Sequence, residues 1–170
     1  MSGAPFVVVI GPPGVGKSTV ARRIAQRLDR RLVDTDVLVE EREGRSVSDL
    51  FVESGEDYFR AAEQRAVLDA LREDGIVLAL GGGAPMIPAV TDALQGHTVL
   101  FLDVGIADAA KRIGFDKSRP LLSVNPRQSW IRTMDARRPT YESLATLRVD
   151  TAGRGVDEVV TEALARLEDA

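Results

Sequence analysis

The run Phe6-Val7-Val8-Val9-Ile10 leads straight into Gly11-Pro12-Pro13-Gly14-Val15-Gly16-Lys17-Ser18-Thr19, and an amphipathic stretch follows. A short Val/Ile run bounded by glycine reads as a buried parallel strand. The nine residues after it satisfy G-x-x-x-x-G-K-[ST], and they stand between a strand and a helix, as phosphate binding requires. Glycines let the backbone curl so that successive N–H groups converge on phosphate oxygens. The helix that follows adds its partial positive charge. Gly14, Val15, Gly16, Lys17, Ser18 and Thr19 are therefore the candidate nucleotide-binding residues. Lys17 is placed to reach the β- and γ-phosphates of a nucleotide, and the Ser18 hydroxyl to ligate Mg²⁺.

Outward from this loop the same alternation repeats. Apolar runs at Arg31–Val33, Ile76–Leu80, Thr98–Leu102 and Leu147–Val149 predict further strands. Val20, Ile24 and Leu28 lie four apart, as on one helix face. Ser54 is a candidate N-cap for a helix over Glu56–Leu71, and a last helix spans about Val156–Leu167. Strand–helix alternation of this kind predicts an α/β fold, a parallel five-stranded sheet flanked by helices and forming one domain over residues 1–170. In such sheets ligands collect at the carboxyl ends of the strands. That rule directs attention to the residues after Ile10, Val33 and Leu80.

Composition narrows the function further. The chain has 170 residues and no cysteine, which excludes disulfides, thiolate metal sites and thiol catalysis. With 22 basic against 26 acidic side chains the net charge is −4, a poor balance for nucleic-acid binding. The N-terminal apolar run is far too short for a membrane span or a signal peptide. A cytoplasmic protein acting on a small molecule is the expectation. The one asparagine, Asn125, precedes Pro126, so the N-K-x-D guanine motif of GTPases is missing, and a small-molecule kinase suits the length.

Asp34-Thr35-Asp36 follows the second strand. Two acids spaced by two share a side if strand geometry continues. One could then hold Mg²⁺ through water while the other orients or deprotonates an acceptor hydroxyl. Either could instead simply cap a helix beginning near Val37. Gly81-Gly82-Gly83 after the third strand would let a ligand approach bare backbone. Arg60 has Glu63 three residues on, a pair that orients a guanidinium or merely decorates a solvated face. Phe115–Leu122 reads as a flap that could bring Arg119 onto a transferring phosphate. Arg137-Arg138-Pro139 reads as a helix end, its arginines serving the helix dipole or clamping a carboxylate. His97, Trp130 and Met134 read as structural residues.

Taken in order, G-P-P-G-V-G-K-S-T, D-T-D, F-R-x-x-E, G-G-G-A, R-P-L-L and R-x-P-x-Y resemble shikimate kinase over nearly the whole chain. The resemblance implies a nucleoside-monophosphate-kinase-like fold, with a substrate-binding helical region over about 34–62 and a lid over about 113–124. It also implies transfer of the ATP γ-phosphoryl group to the 3-hydroxyl of shikimate, with Mg²⁺ as the metal and a monomer as the working form. By motif, Lys17, Asp36 and Arg119 would be catalytic, and Ser18 and Asp34 would hold the metal. Asp36, Arg60, Gly82 and Arg137 would contact shikimate, Arg119 the nucleotide phosphates, and Arg112 and Arg154 would flank adenine. Arg138 places a second guanidinium beside Arg137, although spacing back from Tyr141 favours Arg137. Two other readings stay open: a kinase for another small hydroxylated acid or nucleotide, and an ATP-binding regulatory module that does not turn over.

Overall fold

The computed structural model describes residues 3–13, 15–105, 108–109 and 126–169. The predicted flap, with Arg112 and Arg119, and also Gly14 lie outside the described residues. Five strands form one sheet: β1 (Val7–Ile10), β2 (Leu32–Asp34), β3 (Val77–Ala79), β4 (Val99–Asp103) and β5 (Leu147–Asp150). Their order is β2-β3-β1-β4-β5, and all four pairings are parallel. Each strand lies within one residue of its apolar run. Every residue of β1 is fully buried, because β1 is central and both of its faces are covered. The connection leaving β1 runs to one side of the sheet, while those leaving its neighbours β3 and β4 run to the other. That reversal opens a crevice at the carboxyl end of β1.

The helices are α1 (Lys17–Leu28), α2 (Thr35–Glu43), α3 (Val47–Ser54), α4 (Glu56–Ala70), α5 (Pro88–Ala93), α6 (Pro126–Leu144) and α7 (Val156–Glu168). α1 buries Val20, Ala21, Ile24 and Ala25 against the sheet, the stripe its four-residue spacing predicts. The predicted cap of α4 is corrected: Ser54 is the last residue of α3, and Gly55, at φ +86°, turns the chain into α4 without a side-chain cap. The helix-end reading of Arg137-Arg138-Pro139 is corrected as well, since α6 continues through Pro139 to Leu144. Tyr141 supplies the reason. It is fully buried with its ring 5.2 Å from that of Phe101, so tertiary packing offsets the hydrogen bond that proline cannot make.

A large core fills both sides of the sheet. A second, small core of Val39, Leu50, Phe59, Ala62 and Ala66 ties α2, α3 and α4 into a lobe beside it. Among the described residues no helix is long and apolar enough to cross a membrane.

Candidate active site

The phosphate loop is built by the end of β1 and the start of α1. Gly16 holds φ +85° immediately before the helix, a conformation that side chains with a Cβ avoid. The first turn of α1 carries no acidic residue of its own. Lys17 Nζ donates to Pro12 O at 3.1 Å, which folds the ammonium back over the loop. Ser18 Oγ donates to Asp34 Oδ2 at 2.7 Å, joining α1 to the end of β2.

Asp34 takes the capping role that the sequence offered and also meets the phosphate loop. Its Oδ1 accepts from Asp36 N at 3.0 Å and caps α2, while its Oδ2 receives Ser18. Strand geometry does not persist through D-T-D. The chain turns helical at Thr35, which is buried and accepts a hydrogen bond from Gly81 N at 3.2 Å. Hydroxyl and carboxylate oxygens side by side at a phosphate loop form the hard donor set that suits Mg²⁺, with water and phosphate completing the shell. Among the described residues no group of three or more His, Cys, Asp or Glu could hold a metal by itself. Ser18 and Asp34 therefore fit a cation that arrives with its nucleotide.

A cavity of about 480 Å³ opens beside this loop, walled by Pro13, Asp36, Phe51, Arg60, Gly82 and Arg137 among others. The three glycines after β3 floor it. A Cβ on Gly81 would lie 2.8 Å from Asp36 Oδ1 and 2.8 Å from Glu63 Oε2. One on Gly83 would lie 2.6 Å from both terminal nitrogens of Arg60, and one on Gly82 would lie 3.1 Å from Arg137 Nη1. The glycines are thus what lets Asp36, Arg60 and Arg137 converge.

Arg60 donates to Glu63 Oε1 at 2.5 Å and lies over the Phe59 ring, 5.2 Å from its centre. Glu63 is only 1% exposed, so the solvated-pair reading of Arg60 and Glu63 is wrong. Burial raises the Glu63 pKa above its ordinary value, and Asp36 adds to the rise, while the Arg60 charge and hydrogen bond oppose it. Arg60, facing the carboxylate directly, offsets part of the cost of burying it.

Of the two adjacent arginines, Arg137 lines the cavity, whereas Arg138 turns to Asp103 at 2.7 Å. Tyr141 donates to Gly82 O at 2.6 Å and fixes the glycine floor to α6. Trp130 and Met134 pack in the core as expected, yet they also form cavity wall, and Trp130 Nε1 donates to Pro13 O at 3.1 Å. Phe51 is a wall residue that the sequence did not single out, since it lies on a helix of only eight residues, too short for its spacing to stand out. Arg154 stands apart, on the loop after β5, paired with Glu162 at 2.7 Å and donating to Asp150 O at 3.0 Å. His97 keeps a structural position, its carbonyl receiving the Thr146 hydroxyl.

Residues 13–168 match the family model for shikimate kinase. The chain belongs to the shikimate kinase family. A shikimate kinase from Rhodococcus jostii is 43% identical over 98% of this chain and 99% of its own. One from Thermobifida fusca is 49% identical over 93% and 92%. The solved shikimate kinase from Acinetobacter baumannii, in complex with shikimate, is 29% identical and superposes with a TM-score of 0.92, covering 98% of this chain and 94% of that one. The five-stranded parallel sheet and the floor of three glycines described above therefore belong to a shikimate kinase fold.

Proposed function

We propose that this chain transfers the γ-phosphoryl group of ATP to the 3-hydroxyl of shikimate, releasing ADP. One observation carries the reading: two guanidinium groups and one carboxylate, those of Arg60, Arg137 and Asp36, converge on a cavity that adjoins the phosphate loop. A small monocarboxylate with several hydroxyls is what such a set recognises. Arg60 and Arg137 offer charge-assisted hydrogen bonds to its carboxylate, and Asp36 accepts from a hydroxyl.

In this reading Lys17 and the loop amides of Gly14, Val15, Gly16, Ser18 and Thr19 bind the β- and γ-phosphates. Ser18 and Asp34 would hold Mg²⁺, which would neutralise phosphate charge when bound. Asp36 orients the acceptor hydroxyl towards the γ-phosphorus and receives its proton as the new O–P bond forms. The bond from that phosphorus to the β–γ bridging oxygen breaks, and ADP carries the electron pair away. Because the transition state is loose, in-line placement matters more than the basicity of Asp36. Arg119 would close over the phosphates and stabilise their charge, and Arg112 and Arg154 would flank adenine. The acceptor is a free small molecule; at net charge −4 the chain offers nucleic acid no concentrated positive field.

The test is ADP release with ATP and Mg²⁺, offering shikimate, gluconate, AMP, CMP or no acceptor in parallel. Stimulation by shikimate alone is expected. Stimulation by AMP or CMP would overturn the carboxylate assignment of Arg60 and Arg137. ATP binding without release for any acceptor would make the chain a regulatory module.

A further inference from the structure

Arg138 follows Arg137 on α6 but takes no part in the cavity. Its fork grips Asp103, with Nη1 2.7 Å from Oδ2 and Nη2 3.0 Å from Oδ1. Asp103 ends β4, is only 4% exposed, and is held from the other side by Arg148 of β5 at 2.7 and 3.1 Å. Two parallel bonds from a planar fork fix direction as well as distance. Glu142 also approaches Arg138, at 3.6 Å, but it is solvated and constrains little. One residue beyond Arg138 stands Pro139. It has no N–H to give the carbonyl of Asp135, and its ring crowds that carbonyl. The turn over 135–139, which carries Arg137, thus lacks a hydrogen bond that the interior of a helix ordinarily makes.

We propose that the Arg138–Asp103 pin, backed by Arg148, positions Arg137: it supplies from the sheet the register that Pro139 removes from the helix, and so sets where the Arg137 guanidinium meets the substrate carboxylate. The proposal rests on the substrate role given to Arg137 above. Arg138 is a positioning residue, since it does not line the cavity and is turned to Asp103 instead. Tyr141, two residues past that turn, anchors α6 through Gly82 O, so the pin and the tyrosine both hold the C-terminal side of the turn.

Arg138→Met keeps most of the stem and removes the fork, while Arg148 still pairs Asp103. The expected result is a shikimate KM raised about tenfold, with kcat and the ATP KM within about twofold of the wild type. Arg138→Lys keeps the charge with a single point of contact and gives an intermediate rise. Adding Pro139→Ala to Arg138→Met returns the helix hydrogen bond and recovers much of the lost shikimate affinity. A merely structural role would instead lower stability and leave the shikimate KM alone, or move both KM values together; either result overturns the pin. If Arg138→Met does not fold, Arg138→Lys is read by the same criteria. Arg137→Met is measured alongside. An unchanged shikimate KM there removes the substrate role of Arg137 itself, whereas a raised KM there with none in the Arg138 variants removes only the pin.

Discussion

Asp34 and Asp36 are two residues apart and chemically identical, yet their surroundings differ. Asp34 commits one oxygen to Ser18 and the other to the backbone of α2, beside the phosphate loop. Asp36 instead faces Gly81 and the cavity, near the two arginines. Replacing Asp36 with Asn keeps size and shape but removes the ability to take a proton. The expected kcat falls by about 10²- to 10⁴-fold, with the melting temperature nearly unchanged. A steady-state assay with saturating ATP and shikimate decides it, and a near-wild-type kcat would leave Asp36 neither base nor orienting group. Both acids stood out in D-T-D at a strand end, but the difference in their contacts did not. It depends on the chain turning helical at Thr35, a choice made by the buried contact of Thr35 with Gly81. The choice of Arg137 over Arg138 rested on the motif's spacing back from Tyr141 alone. Neighbouring helix residues diverge by about 100°, and only packing says which one faces the cavity.

At the scale of elements, the strands lay almost within the bounds their apolar runs marked, because residues buried on both faces leave an unbroken signature. The helical lobe was less legible. α3 is eight residues long, and only Leu50 of it is fully buried, so its pattern does not stand out from a loop. α6 defeats the usual proline rule because Tyr141 and Arg138 hold it from outside the helix. Asp103 gives that tertiary hold a measurable signature. Burial alone would raise its pKa, but the hydrogen bonds from Arg138 and Arg148 outweigh burial and keep it below the ordinary carboxylate value. A carboxyl group whose pKa is lower folded than unfolded contributes stability that is present above the unfolded value and is lost as pH falls through the folded one. Asp103→Asn should therefore cost about 1 to 2 kcal/mol at neutral pH, a figure kept low because both arginines are partly solvated. The difference from wild type should shrink as pH drops below 3.8, where the unfolded chain protonates, and vanish at lower pH. Urea unfolding at a series of pH values measures this, and a pH-independent gap would mean that the Asp103 charge is not what holds β4 to α6.

The whole molecule joins a large core at the sheet to a small one under α2, α3 and α4, and the cavity lies where the two meet. Its walls come from the phosphate loop, the lobe, the glycine floor and α6, so a ligand there touches every part that could separate. Such a ligand binds the folded chain and not the unfolded one, and at a hundred times its dissociation constant it adds about 2.7 kcal/mol of stability. For a chain of 170 residues that corresponds to a rise in melting temperature of about 5 to 10 °C. Shikimate at that excess should produce the rise without any nucleotide, since Arg60, Arg137 and Asp36 are brought together by the protein alone. Gluconate, an open-chain acid that cannot present its carboxylate and hydroxyls in the fixed arrangement of a ring, should produce little at the same concentration. The comparison is made by thermal denaturation with each acid and again with ADP present. An equal rise with both acids would mean that the cavity reads only the carboxylate. No rise with shikimate until ADP is added would mean that the substrate pocket is assembled by the nucleotide rather than by the glycine floor and its surrounding helices.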